Sequence, residues 1–164
     1  MPIRNQIENI VNSMLVVPPV APATEFTAPT FLYGTANELN TLGDDVQFPC
    51  IFLYALQPIE SIPGVNGSVG NSINIFMAFI FKTEFGQYTA DNEVYVNEAW
   101  KWSNIFILKA AKYREGPGRY FRVKRETKGQ VKPFYNKGEF DVNTSGVTLS
   151  ITLETMFDDN LSQY

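Results

Sequence analysis

Near the C-terminus the chain alternates almost without error. Val147, Leu149, Ile151 and Leu153 fall on one side, and Thr148, Ser150, Thr152 and Glu154 on the other. A period of two sends successive side chains to opposite faces of a strand, so residues 147–157 are predicted to form a strand with one buried face. A second strand is predicted over 72–84, where Ile73, Ile75, Met77, Phe79 and Phe81 share a face. Phe76, Ala78 and Ile80 make much of its other face apolar, so both sides need cover. The β-branched and aromatic run 46–56, "VQFPCIFLYAL", predicts a third strand. Pro49 near its beginning points to an edge or a strand start, because proline cannot donate to a ladder. Between these two runs, "GVNGSVGNS" (64–72) predicts a hairpin loop.

Two segments carry the helical period instead. In residues 2–16, Pro2 suits a first turn, and Ile3, Ile7, Ile10, Val11 and Met14 recur at helical spacing. Pro18 and Pro19 then stop the helix. Residues 94–113 give a longer helix, with Val96, Ala99, Trp100, Trp102, Phe106, Ile107, Ala110 and Tyr113 on the apolar half of the wheel. Ile105 and Leu108 interrupt its charged half. With Phe76 and Ile80 on the doubly apolar strand, they are the candidate subunit-interface residues. "EGPGR" ends the helix.

Residues 119–127 and 130–135, joined at Lys128-Gly129, read as a hairpin. Residues 17–46 read as a long Pro-rich extended loop or arm with one helical turn near Glu38, and 158–164 as a short acidic tail. The order of elements predicts one α+β domain over 1–164: an antiparallel or mixed sheet of four to five strands, with two helices packed on one face.

Composition narrows the chemistry. The chain of 164 residues has no histidine and one cysteine, Cys50. The absent imidazole removes Ser-His-Asp and Cys-His catalysis and the commonest zinc ligand. Cys50, inside an apolar run, reads as a small core residue. No cofactor or metal motif appears. Glu126-Thr127-Lys128 matches part of a metal-nuclease pattern, but its missing acid would have to come from Asp91 or Asp45 in loops. The apolar run Ile75–Phe81 is too short to span a membrane, and the N-terminus lacks the basic start and unbroken apolar stretch of a signal peptide. Charge is unevenly spread. Residues 101–138 hold 11 basic and 2 acidic side chains, a balance of +9, within a chain of net charge −4. Arg119, Arg122, Lys124, Arg125 and Lys128 form a candidate basic patch for a partner. Residues 109–132, basic and aromatic, also supply the alternative reading of a nucleic-acid-binding module.

An amphipathic N-terminal helix, the loop "FLYG" (31–34), the strand "QFPCIFL" (47–53), a long strand, a helix, "KPFYN" (132–136) and "NTSGVTLSITL" (143–153) follow one another. This layout resembles the tail terminator or tail completion proteins of tailed bacteriophages and related head–tail neck connectors, closest to versions carried by Bacteroidetes phages. The resemblance covers most of the chain and rests on short structural motifs. It implies a non-enzymatic α+β virion subunit, built in the bacterial cytoplasm into a homo-oligomeric ring. Six-fold symmetry is the expectation and twelve-fold the alternative. Its neighbours would be portal, connector or tail-tube proteins, and genomic DNA would pass through its lumen without sequence recognition. It implies no membrane partner. The Thr148, Ser150 and Thr152 face is then expected to turn toward the bore or solvent.

Overall fold

The computed structural model describes residues 3–15, 28–41, 46–56, 60–63, 69–84, 88–114, 119–123, 130–137 and 143–157. The chain is α+β, with a mixed sheet and two long helices packed on one of its faces. In chain order the elements are α1 (Ile3–Leu15), β1 (Thr30–Gly34), α2 (Ala36–Thr41), β2 (Cys50–Tyr54), β3 (Glu60–Pro63), β4 (Val69–Lys82), α3 (Glu93–Lys112), β5 (Arg119–Val123), β6 (Gln130–Lys137) and β7 (Thr144–Phe157). A 3₁₀ turn over Thr89–Asn92 leads into α3.

The sheet is organised around β4 and β7. They pair antiparallel along their whole length, from Val69 opposite Phe157 to Lys82 opposite Thr144. β2 and β3 lie end to end along the outer side of β4, both antiparallel to it. β6 and β5 do the same along the outer side of β7. β1 completes the sheet beside β2 as the single parallel pairing. Seven strand segments thus make five rows, ordered β1, β2 with β3, β4, β7, and β6 with β5.

The hairpin expected over 119–135 is therefore replaced by one interrupted strand. A hairpin needs arms that run in opposite directions. β5 and β6 are both antiparallel to β7 and so run the same way. Val123 pairs with Leu153 and Gln130 with Ser150, so β7 advances only over Ile151 and Thr152 while the other chain passes residues 124–129. The long connection expected over 17–46 also contains regular structure, since β1 and α2 occupy residues 30–41. Residues 16–27 and the tail 158–164 lie outside the described residues.

Alternation decides which face is dry. Ile73, Ile75, Met77, Phe79 and Phe81 of β4 and Val147, Leu149, Ile151 and Leu153 of β7 share a buried face. They meet Ile7, Ile10, Val11 and Met14 of α1 and Val96, Ala99, Phe106 and Ala110 of α3. Each such Ile, Leu, Met or Phe removed from water stabilises the fold by about 1.5–3 kcal/mol before entropy is counted. Ser103 is buried in the same helix face, and its hydroxyl is satisfied by donating to the Trp100 carbonyl at 2.7 Å. α3 packs over β7, β5, β4 and β6, and α1 lies against its flank. The aromatic contacts of Phe81 with Tyr95 and Trp102 fix the α3 flank nearer β4.

The opposite face is only partly covered. Val46, Cys50, Phe52, Ala78, Ile80 and Phe134 form a second, smaller cluster, with Leu32, Phe48 and Tyr54 packed around it. This meets the expectation of cover on both sides of the 72–84 strand, but only at its C-terminal end. Farther along β4 and β7 the face is polar apart from Phe76, which stands opposite Ser150. Ser150 is exposed and Thr148 half-buried, but Thr152 is buried rather than turned to a bore or solvent, and its hydroxyl donates to Asn74 Oδ1 on the paired strand at 2.7 Å.

Candidate functional site

The outer side of α3 carries the least settled apolar surface among the described residues. Leu108 is 61% exposed and Trp100 49% exposed, although both are large and apolar. With Asn97, Lys101, Asn104 and Ile105 they line an open groove of about 420 Å³. Helical spacing builds it: Trp100, Asn104 and Leu108 stand four residues apart, one above another on the same side. Lys101 borders the groove and pairs with Glu98 at 3.6 Å, the lysine exposed and the glutamate side chain largely covered. Lys109 and Lys112 occupy the last turn of α3, where cations complement the helix dipole.

The predicted interface residues separate in space. Leu108 is open to solvent, and Ile105 shares the groove while half-buried against the core. Phe76 lies on the other face of the sheet, 44% exposed, with its ring centroid 4.7 Å from that of Tyr54. Ile80 is 1% exposed and sits inside the second cluster with Phe52 and Phe134, so it corrects the sequence expectation: it is a core residue. Trp100, which the helical period places on the apolar half of α3, is likewise a correction, since it is exposed. It lies at the margin of that half, and the row it forms with Asn104 and Leu108 was the available signal for its exposure.

Of the basic patch, Arg119 and Arg122 belong to β5, opposite Phe157 and Glu154 of β7 respectively. Lys124, Arg125 and Lys128 lie outside the described residues, as do Glu126 and Asp45 of the partial nuclease pattern. Asp91 is exposed in the 3₁₀ turn, where its carboxylate accepts from the Tyr88 amide at 3.1 Å. Among the described residues no three His, Cys, Asp or Glu side chains are grouped to hold a metal ion, and no helix is long and apolar enough to cross a membrane.

Among the described residues two ionisable groups are displaced from their ordinary behaviour. Burial pushes the Cys50 thiol up to about 12, which keeps it protonated and unreactive. The Glu38 carboxyl is lowered by the backbone amide and then the hydroxyl of Thr35. Thr35 and Glu38 reciprocally cap α2: the Thr35 amide donates to Glu38 Oε2 at 2.5 Å, and the Glu38 amide donates to Thr35 Oγ1 at 3.2 Å. Neither group faces the α3 groove.

Against known proteins, the chain matches no protein-family model and no curated protein.

Proposed function

We propose that this chain is a structural subunit that closes into a homo-oligomeric ring in the neck or tail of a tailed bacteriophage, with DNA passing through the lumen. The observation that carries the reading is the exposed apolar pair on α3, Trp100 and Leu108, which flank Asn104 and are bordered by half-buried Ile105. Large apolar side chains grouped on one side of a surface helix fit a protein partner better than a small substrate. The motif order from "FLYG" to "NTSGVTLSITL" supplies the phage context. The mixed α+β sheet with helices on one face agrees with the subunit type that the resemblance implies. On this reading the protein is not an enzyme, and its neighbours are portal, connector or tail-tube proteins. A six-fold ring in the virion is the expected state.

A ring also needs two different surfaces on each subunit, because a head-to-tail contact joins unlike patches. The α3 groove and the Phe76–Tyr54 pair lie on opposite sides of the sheet and are chemically distinct. Light scattering coupled to size exclusion, followed by negative-stain microscopy, tests the reading. Closed rings are expected for the wild-type chain, and loss of rings for Trp100→Ser with Leu108→Ser. A wild-type chain that stays monomeric at every concentration overturns it.

A further inference from the structure

The strand order sets two oppositely charged edges against each other across the sheet. One edge is formed by β1 and β3, with α2 directly after β1. β3 carries Glu60 and α2 carries Glu38, which is exposed, against one cation on this side, Arg4 of α1, whose guanidinium lies 5.1 Å from the Tyr33 ring centre on β1; residues 5–81 contain no lysine or arginine. The other edge is formed by β5 and β6, which hold Arg119, Arg122, Lys132 and Lys137 and no acid. α3 packs most closely over β7 and β5 and less over β4 and β6, so its apolar row and Lys101 belong to the basic half of the molecule. The charge asymmetry seen in the sequence is thus a spatial polarity that runs across the strands.

We infer that this polarity is the orientation code of self-association: the acidic β1–α2–β3 edge of one copy meets the basic β5–β6 edge of the next. The inference rests on the proposed ring and specifies its contact. Like edges repel, which disfavours the two-fold pairing that would otherwise bury both α3 grooves in a closed dimer. Unlike edges attract, so the only favourable order is head to tail, and every added copy leaves one acidic and one basic edge to continue or close the ring. Backbone pairing is not needed for the contact. Pro133 and the register shift between Phe134 and Lys137 blunt β6 as a template for another strand. The apolar row on α3 supplies burial, and the charges select which edge it meets.

A charge-swap experiment tests this. One variant, Arg119→Glu with Arg122→Glu and Lys132→Glu, makes both edges acidic. A second, Asn37→Lys with Glu60→Lys, makes both edges basic and leaves the Thr35–Glu38 cap of α2 in place. Each alone is expected to lose assembly at least tenfold in concentration while keeping the wild-type circular dichroism spectrum. An equimolar mixture is expected to recover assemblies in which the two variants alternate. Wild-type association is also expected to weaken several-fold between roughly 50 and 500 mM salt, as screening shortens the range of the charges. Wild-type rings that ignore salt, or charge-reversed chains that assemble alone as well as wild type, overturn the edge assignment and leave the ring itself standing. Salt-sensitive DNA binding lost in the first variant with assembly unchanged also overturns it, in favour of a nucleic-acid edge. A wild-type chain that never associates overturns the ring and the edge assignment together.

Discussion

Gly146 stands where no other residue fits. A Cβ built on it would lie 1.9 Å from the Phe79 carbonyl oxygen on β4 and 3.2 Å from the Phe134 ring on β6. The Phe134 ring faces the glycine across the β6–β7 pair and fills the space that a side chain would take. Gly146→Ala must separate the two longest strands or move backbone, and overpacking of that kind costs about 1–3 kcal/mol. A denaturant melt should show the loss with the slope unchanged. Cys50 gives a second residue-scale expectation. Burial raises its thiol to about 12 from an ordinary 9.0, so the folded chain resists ionisation that the unfolded chain accepts. Its contribution to stability is therefore complete below pH 9 and is lost as pH rises from there toward 12. A thiol reagent at pH 8 should leave the native protein unmodified and label one cysteine per chain in denaturant. Rapid labelling of native protein would contradict the burial.

At the scale of elements, periodicity carried most of the fold. α1, α3, β4 and β7 each repeat their apolar positions over enough residues for the buried side to be read directly. Ile7, Ile10, Phe79 and Leu149 are all buried as that spacing requires. β5 and β6 were legible as strands, but their pairing was not, because both halves of an interrupted strand look locally like the arms of a hairpin. What separates the two cases is the length of the partner, and β7 spans Thr144–Phe157, enough to hold both segments. β1 was hidden for a different reason. "TFLYG" is short, shows no clean alternation, and acquires its strand character from a parallel neighbour. The same arrangement predicts how the sheet opens. β4 and β7 have strands on both sides, whereas β1 and the β5–β6 row each have one. Hydrogen exchange measured below the assembly concentration should find the slowest amides in β4 and β7 and faster exchange in β1. Equal protection of β1 and β7 in the isolated subunit would mean that the edge has another cover.

On the scale of the whole molecule, the candidate surface was half legible. Leu108 and Ile105 betrayed themselves by interrupting a charged helix face, but Trp100 did not, because a tryptophan at the margin of an apolar half reads as core until the neighbouring elements are in position. Ile80 erred in the other direction: an apolar residue on the second face of a strand looks like an interface until Phe52 and Phe134 are seen to cover it. The corrected surface makes a thermodynamic distinction possible. Trp100 and Leu108 are largely solvated in the single subunit, so Trp100→Ser with Leu108→Ser should change the stability of the isolated fold by less than about 1 kcal/mol. Association that buries them binds only the folded chain, and mass action then stabilises it further as concentration rises. The wild-type melting temperature should climb with protein concentration, whereas that of the double variant should stay flat near the wild-type value at high dilution. A flat wild-type curve would remove the apolar row as an association surface. A double variant that melts far below dilute wild type would instead make Trp100 and Leu108 supports of the α3 packing within one chain.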